Sequence, residues 1–469
     1  MNITSFTKTN WIACATLAAS SLLPTANIMA DTAPTPEEQE AYAVGMLAYI
    51  YGYPMIVMEK SHLGMTATKT VDPTRFLAPQ GVWASATQLA GPQMKNIQST
   101  NNDTIYSWIW VDLSTEPFVY VKPATGDRFY TTQFVDAYTN NFAYVSSRTD
   151  GPAEKTVALV GPGWSGKLPA GIERLEAPTD KVFVILRLAV DGEADMANIK
   201  ALQAKSEFKP LSNYLAKTDP KPAPAPTNPG YKGPLSDFEW IGDLIAKNRP
   251  PAEEAGLMGM FERIALSPDY GFQEDKLSDA QKKGLARAAK DGLAAIEAAA
   301  KNIGREVNGW QMPPVSDVFF GTDYMLRAVI AWQSVFQNTP IEAYYPALYT
   351  DATGAQLDGS SESYVLRFEK GNLPPVNAFW SITLYDLKNR LMVANSINRY
   401  SIGDRTKGLA YGSDGSLEIY IQKDDPGGKK SANWLPAPDA PFYLLMRTYL
   451  PKQAMLDGRY QPPAVKTAK

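Results

Sequence analysis

The period of the hydrophobic pattern changes repeatedly along this chain, and this feature constrains the fold more than any other. From residue 36 to about 69, apolar residues recur every three to four positions, which predicts a helix. Between about residues 104 and 190 the period is close to two, which is typical of strands. Helical spacing returns over 194–337, and strands dominate again over 345–463. The sequence therefore predicts a multidomain α+β protein.

Both strand-rich regions are expected to form β-sandwiches. In the first, short alternating segments are separated by clusters of Gly, Pro, Asp and Asn. In the second, several strands carry large residues on both faces, as in a sandwich or jelly roll. The predicted strands are 118–121, 128–135, 142–147, 156–160 and 182–188 in the first region, and 363–368, 378–384, 390–394, 417–422 and 442–450 in the second.

The clearest helix lies between these two regions. Ser278 and Gln281 form a capping-box pattern, an apolar face extends from Leu285 to Ile303, and Gly304 is placed to end the helix. A segment rich in Pro and Lys, 218–234, is expected to be an exposed loop. The predicted division is a signal peptide at 1–30, a helical segment at 31–100, a sandwich at 101–192, a helical module at 193–344 and a second β domain at 345–469.

Residues 1–30 have the composition of a secretory signal peptide. Lys8 precedes an apolar stretch of about 13 residues, too short to span a bilayer, and a cleavage site is expected near Ala30. This predicts a periplasmic or secreted protein without a stable membrane span. Nothing in the balance of 45 basic and 49 acidic residues favours a nucleic acid as partner.

The scarcity of histidine and cysteine limits the chemistry. Cys14 lies in the signal-like segment, so the rest of the chain has no cysteine and a single histidine, His62. Sites built from several His or Cys ligands are excluded, as are Ser-His-Asp and Cys-His pairs that do not use His62. Because His62 has no partner at a diagnostic spacing, we expect a structural role for it. No cofactor is predicted, and Ca²⁺ or Mg²⁺ has no supporting motif.

Polar residues of the first β region form the candidate catalytic group. A carboxylate beside an arginine stays ionised, and a tyrosine there becomes a better proton donor or phenolate, which together could perform acid–base chemistry. The same residue types also build Asx turns and buried ion pairs, so a structural role stays open. A hairpin turning at 139–141 would bring together Asp136, Tyr138, Tyr144 and Arg148. The catalytic candidates are Asp103, Tyr106, Asp136, Tyr138 and Arg148.

A loop of the second β region is the candidate binding segment. Arg399 and Arg405 follow a predicted strand and stand beside glycine turns, where binding residues concentrate. Their guanidinium groups could bind a carboxylate, sulfate or phosphate, while Asp404 could equally pair with an arginine and only fix the turn. The substrate-binding candidates are Tyr364, Arg367, Trp380, Asn398, Arg399, Tyr400, Asp404 and Arg405.

Several motifs in the same order resemble a bacterial family built from domain of unknown function 1254 followed by domain of unknown function 1214. Ser396 stands where the family pattern has proline. The resemblance covers about residues 40–465 and implies an immunoglobulin-like sandwich, a helical module and a jelly-roll domain, but no established reaction. The motifs that carry it are Tyr51-Gly52-Tyr53-Pro54, Asn102-Asp103-Thr104 with Tyr106, 134–148, 364–368, 378–386, 398–405 and Asn433-Trp434-Leu435-Pro436.

Two functions are compatible with these residues. One is an exported hydrolase or lyase with its site in a cleft between the β domains, where Asp and Tyr perform acid–base chemistry and Arg stabilises negative charge. The other is a carbohydrate- or small-anion-binding protein without catalysis, in which aromatic rings stack on the ligand. The expected partner is therefore a small-molecule or glycan-like ligand. An envelope assembly subunit is a weaker third option, and a homo-oligomer stays open.

Overall fold

The computed structural model describes residues 33–95, 98–315 and 320–468 and has a mixed α+β fold with several mainly antiparallel sheets. The predicted signal peptide lies outside these residues. The helices are α1 (Pro36–Thr66), α2 (Met196–Lys205), α3 (Leu211–Ala216), α4 (Ser236–Lys247), α5 (Ala255–Phe261), α6 (Asp279–Lys301), α7 (Tyr324–Ser334) and α8 (Gln453–Leu456), with 3-10 turns at Glu193–Asp195, Ala252–Glu254, Glu262–Ile264, Glu274–Lys276 and Gly428–Asn433.

The strands form a first and a second β unit, with one small hairpin between them. The first β unit contains β1 (Ala84–Ser85), β2 (Thr104–Asp112), β3 (Phe118–Lys122), β4 (Tyr130–Val135), β5 (Asn141–Ser146), β6 (Lys155–Val160), β7 (Glu173–Glu176), β8 (Lys181–Ala189) and β9 (Glu207–Pro210). The hairpin is β10 (Leu266–Ser267) and β11 (Gly271–Phe272). The second β unit contains β12 (Arg305–Val307), β13 (Trp310–Met312), β14 (Ala343–Tyr344), β15 (Ala347–Leu348), β16 (Tyr364–Phe368), β17 (Trp380–Asp386), β18 (Ser401–Gly403), β19 (Leu417–Gln422), β20 (Trp434–Pro436), β21 (Phe442–Tyr449) and β22 (Val465–Thr467).

Helices α1, α4, α5, α6 and α7 pack together as a helical unit. The Thr35 hydroxyl caps α1 by accepting the backbone N–H of Glu38, and α6 has the predicted capping box of Ser278 and Gln281. The two helices approach closely: a Cβ at Gly284 would lie 2.4 Å from the backbone oxygen of Glu38. Among the described helices, α1 alone is long and apolar enough to cross a bilayer, and 61% of its most apolar window is buried in the fold.

The first β unit has two sheets that face each other. One has the order β1-β2-β8-β4-β5 and the other β7-β6-β3-β9. Between them Tyr120 packs on Phe134, with ring centroids 6.3 Å apart, and the Tyr120 hydroxyl lies 2.8 Å from that of Thr132. The other face of the five-stranded sheet, which carries Tyr106 and Trp108, is turned away from this core.

The second β unit also has two facing sheets. The larger contains β12-β13-β15-β21-β17-β18, with β14 also paired to β21, and the smaller is β20-β19-β16-β22. Tyr364 on Phe442 and Phe368 on Trp380 fill the space between them, with centroids 5.7 and 5.3 Å apart. Alternate residues of β17 and β21 therefore point to the opposite side of the large sheet.

The predicted strand at 390–394 is wrong. Arg390 has a positive φ of 59°, outside the β region, and the Asp386 carboxylate accepts the backbone N–H groups of Asn389 and Leu391. An Asx-type turn thus satisfies the backbone locally and removes the need for a strand partner. The other predicted strands agree with the structure to within a few residues at each end.

Candidate functional site between the two beta units

The outer faces of the two large sheets meet, and polar side chains line this joint. Tyr106 on β2 is directly opposite Arg187 on β8. On the facing sheet, Ser381 of β17 is opposite Arg447 of β21, and Tyr385 is four residues further along β17 on the same face. We call this contact the inter-unit joint. The Tyr385 hydroxyl crosses it and donates to the Thr100 backbone oxygen at 2.6 Å.

Asp103 connects the two β units by hydrogen bonds across the joint. Its Oδ2 accepts hydrogen bonds from the Ser381 hydroxyl at 2.6 Å and the Tyr449 hydroxyl at 2.9 Å, both from the second β unit. Asn101 donates to the Tyr449 oxygen at 2.8 Å. Burial and the neighbouring Asp103 charge raise the pKa of Tyr449 well above its usual value, so the phenol keeps its proton and stays a donor. Asp103 is thus engaged within the protein.

Arg447 is buried in the joint, with 5% of its surface exposed. Its Nη2 donates to the Tyr385 hydroxyl at 2.7 Å and to the Ser99 backbone oxygen at 2.8 Å. Its Nε is buried and makes no hydrogen bond with the residues that the structure describes. The guanidinium lies 5.5 Å from the centroid of the Tyr345 ring. In the part of the chain that the structure describes, the hydrogen-bond partners of Arg447 are therefore all neutral.

Arg187 is a second buried cation, 7% exposed. Its nitrogens donate to the side-chain oxygens of Gln133 at 2.6 Å and Asn338 at 3.2 Å, and to the Phe336 backbone oxygen at 2.7 Å. The guanidinium carbon lies 5.7 Å from the centroid of the Tyr106 ring. As with Arg447, these acceptors carry no net charge.

Tyr106 lies within the influence of both arginines and is half-buried. Burial raises its pKa, while the charges of Arg187 and Arg447 oppose this increase without reversing it. The phenol is therefore protonated at neutral pH and can donate a hydrogen bond.

The charges of the joint are not balanced. Within the described ranges, no Asp or Glu oxygen lies within 4.0 Å of a nitrogen of Arg187 or Arg447. Asp103 contacts the serine and tyrosine hydroxyls instead. Two buried cations against one buried carboxylate give the joint an excess of positive charge.

The other catalytic candidates lie apart from the joint. The predicted hairpin is present, but its side chains have separate partners. Asp136 accepts the backbone N–H groups of Tyr138 and Asn140 and fixes the turn, and burial raises the pKa of Asp136 to about 6. The Tyr138 hydroxyl donates to the Asn248 backbone oxygen. Arg148 pairs with the buried Glu342 at 2.6 Å.

The candidate binding loop divides between the joint and the second β unit. Arg405 reaches the joint: it donates to the backbone oxygens of Val190 and Asp103 at 3.2 and 3.3 Å and lies 3.6 Å from the Phe379 centroid. Arg399 instead donates to backbone oxygens within the second unit, including that of Trp434 at 2.8 Å.

The remaining binding candidates of this loop bond to close neighbours. The Asp404 carboxylate accepts the Trp380 backbone N–H at 3.1 Å, and the Tyr400 hydroxyl donates to Asn398 at 3.0 Å. The first of these bonds joins β17 to the loop that follows β18, and the second closes the turn before β18. Both therefore hold the shape of the loop.

Three further binding candidates are remote from the joint. Tyr364 and Trp380 are buried between the sheets of the second β unit. Arg367 lies on the outside of that unit and pairs with Glu369, Asp414 and Glu418. These contacts stabilise the second β unit, and none of the three side chains lies at the joint.

Sequence reasoning missed Arg187, Tyr345, Tyr385, Arg447 and Tyr449. A signal was present for the two arginines: each is the single charged residue inside an apolar strand, in 182–190 and 441–450. A charged side chain in such a strand is costly to bury unless it has a function or a partner.

The described residues contain no group of three or more His, Cys, Asp or Glu side chains that could hold a metal ion.

The comparisons with known proteins identify two regions. The family described as protein of unknown function (DUF1254) matches residues 82–210, which span the first β unit. The family described as protein of unknown function (DUF1214) matches residues 342–453, which contain β17 and β21. The inter-unit joint therefore lies where the two matched regions meet. The search for similar curated proteins gave no match.

The solved structures that match this chain include two bacterial proteins. The crystal structure of the VPA0106 protein from Vibrio parahaemolyticus has 26% sequence identity and a TM-score of 0.74, covering 92% of this chain and 100% of that one. That of an uncharacterized protein from Burkholderia cenocepacia has 14% identity and a TM-score of 0.42, covering 92% and 94%. With both regions present in the expected order, the chain belongs to the family of proteins that carry DUF1254 followed by DUF1214.

Proposed function

We propose that the protein binds a small anionic molecule whose carboxylate lies beside Arg187 and Arg447 in the inter-unit joint. The observation that carries this proposal is the pair of buried guanidinium groups whose hydrogen-bond partners among the described residues are all neutral. A buried charge without a counter-ion costs several kcal/mol. A bound carboxylate offsets this cost, and the planar guanidinium is well suited to hold it.

Tyr106 supplies the third contact. Its pKa is affected by the charges of both Arg187 and Arg447, so a carboxylate bound beside these arginines would also lie near the phenol. Because burial keeps its pKa raised, the hydroxyl donates rather than accepts beside an anion. The rings of Tyr345 and Tyr385 next to Arg447 favour a ligand whose carboxylate is attached to a ring, either a sugar ring or an aromatic one.

Titration calorimetry of the chain with glucuronate and with benzoate tests the proposal. These probes share the carboxylate and differ in the ring. The variant Tyr106→Phe removes a hydroxyl whose side-chain contact within the described residues is with Thr104, so the fold should tolerate the change. We expect it to weaken binding about 10-fold, the effect of one hydrogen bond to a charged group.

Tyr411→Phe is the matched control, because Tyr411 is 51% exposed and its backbone pairs with Leu417 within the second β unit. It should leave affinity unchanged. The proposal is wrong if neither carboxylate binds, if glucose binds as tightly as glucuronate, or if both tyrosine variants have the same effect.

Catalysis is the second candidate, and Tyr106 is the residue that favours it. A protonated phenol flanked by two cations can donate a proton to a leaving group while the arginines stabilise the developing negative charge, as hydrolysis or elimination requires. Nuclear magnetic resonance of each bound ligand after long incubation separates the two candidates. Turnover that Tyr106→Phe abolishes, with binding retained, supports an enzyme, and an unchanged ligand supports a binding protein.

We also propose a specific fold for each β unit and a location for the protein. Two facing sheets in each β unit support an immunoglobulin-like sandwich for the first and a jelly roll for the second. The signal-like sequence at 1–30 supports a periplasmic or secreted setting, in which small carboxylates are accessible to the protein.

A further inference from the structure

A pocket lies on the surface at the far end of β21. It has a volume of about 530 Å³. Its walls come from three parts of the chain: Arg148 of the first β unit, Ile341 of the segment before β14, and residues 450–456 after β21, with Asn377 completing the rim. We infer that this pocket binds an amphipathic monoanion, a carboxylate with an unbranched apolar chain.

The apolar part of the pocket is exposed in the structure. Ile341 is 41% exposed, and Leu450, Pro451 and Leu456 lie beside it. Leu450 has a positive φ of 49°, which is unfavourable for a residue other than glycine. Its backbone is held there by hydrogen bonds with Glu342 and Asn377, at 2.9 and 2.8 Å. Two independent contacts therefore maintain a strained residue in the pocket wall.

The polar part carries positive charge. Arg148 uses Nε to bind Glu342, and its terminal nitrogens make no hydrogen bond with the residues the structure describes. Lys452 is exposed and has no ion pair within the same residues. Glu342 is fully buried beneath Arg148 and balances one of the two cations. One positive charge is left for the ligand, which a single carboxylate neutralises.

The two halves of the pocket together select the ligand. An inorganic anion would leave Ile341 and Leu456 in water, and a neutral alkyl chain would leave Arg148 and Lys452 without a counter-ion. Each CH₂ group transferred from water contributes about 0.8 kcal/mol, so the chain supplies affinity and the carboxylate supplies orientation. This site uses residues different from those of the inter-unit joint.

Calorimetric titration with octanoate tests the inference, with acetate and 1-octanol as probes that lack the chain or the charge. We expect saturable 1:1 binding of octanoate, at least 10-fold tighter than that of either control. Lys452→Gln should weaken it about 5-fold by removing a cation, and Ile341→Ser about 5-fold by removing apolar surface. Both variants preserve the ion pair of Arg148 with Glu342, so the fold should persist.

The controls separate this pocket from the joint. Lys423→Gln removes an exposed lysine elsewhere on the second β unit and should not alter octanoate affinity. Tyr106→Phe should likewise have no effect. The inference is overturned if octanoate does not bind, if acetate or octanol binds as tightly, or if Lys452→Gln and Ile341→Ser leave affinity unchanged. A loss confined to Tyr106→Phe would place octanoate in the joint and also overturn it.

Discussion

Two clusters of buried charge in the described residues differ in how their charge is balanced. Where α1 meets β8, Glu59 accepts a hydrogen bond from Lys181 and lies 3.4 Å from Nδ1 of His62. In the inter-unit joint, Arg187 and Arg447 have only neutral recorded partners. A balanced cluster is sufficient to explain a structural contact. An unbalanced one has a cost that the fold alone does not explain, and this directs the search for a ligand to the joint.

The largest expected effect comes from breaking the balanced cluster. Glu59→Ala leaves the Lys181 ammonium, 20% exposed, without its carboxylate. We expect a loss of about 3 to 5 kcal/mol in the free energy of unfolding, as for other broken buried pairs. Urea denaturation followed by circular dichroism measures it.

Glu173→Ala is the control, because Glu173 pairs with Lys155 at 2.9 Å but is 62% exposed. It should cost less than about 1 kcal/mol. Equal losses for the two variants would show that burial does not strengthen the Glu59 cluster, and the comparison would fail.

Lowering the pH should protonate Glu59 and remove its contribution to the stability of the fold. Burial opposes ionisation of Glu59, but the contacts with His62 and Lys181 outweigh it and lower its pKa from 4.5 to about 2. A carboxylate with a lowered folded-state pKa stabilises the fold above its unfolded pKa. That stability, about 3 kcal/mol here, is lost as the pH falls from 4.5 towards 2.

The variant Glu59→Gln separates the pH-dependent stability that Glu59 contributes from that of the other carboxylates that titrate in the same range. The difference in unfolding free energy between the wild-type protein and Glu59→Gln should be greatest at neutral pH and shrink by pH 2. A difference that stays constant across this range would mean that the Glu59 charge contributes nothing.

The sequence predicted the elements of both clusters but not their contacts. α1, β8 and β21 follow from periodicity, and the Ser278 cap of α6 from a local motif. Such features depend on neighbours within a few residues. The joint depends on which faces of two sheets meet across more than 250 residues, as in the bond from Ser381 to Asp103. The periodicity of the hydrophobic residues along the chain carries no information about that contact.

The candidate residues illustrate the same limit. Asp136 and Arg399 have the residue types of a site, but the structure uses them to fix a turn and a loop. Their local sequence does not distinguish a carboxylate that accepts backbone N–H groups from one that faces a ligand. The isolated arginines of β8 and β21 were the better signal, because a charge among apolar strand residues needs a tertiary explanation.

Removing the buried cation Arg447 should lower the free energy of unfolding by less than Glu59→Ala does. Arg447→Met retains most of the side-chain volume and eliminates a buried cation, although the Ser99 and Tyr385 oxygens lose a donor. Because replacing a buried charge by an apolar group is often close to neutral, we expect a loss below about 2 kcal/mol in the same urea experiment, while carboxylate binding is abolished. A loss as large as that of Glu59→Ala would indicate that Arg447 is structural, and the two clusters would then be alike.

The smallest expected effect concerns Asp103, the buried carboxylate of the joint. Ser381→Ala removes one of the two hydroxyl donors of Asp103 and leaves that of Tyr449 in place, so we expect a loss of about 1 kcal/mol in the free energy of unfolding. Ser401→Ala is a close control: its hydroxyl, on the neighbouring β18, lies 3.4 Å from the Asn102 side-chain oxygen and should contribute less than about 0.5 kcal/mol. If Ser381→Ala costs no more than Ser401→Ala, Asp103 does not depend on the serine. Its carboxylate would then be available to interact with Arg447, and the excess positive charge from which we infer a ligand would be smaller than the contacts indicate.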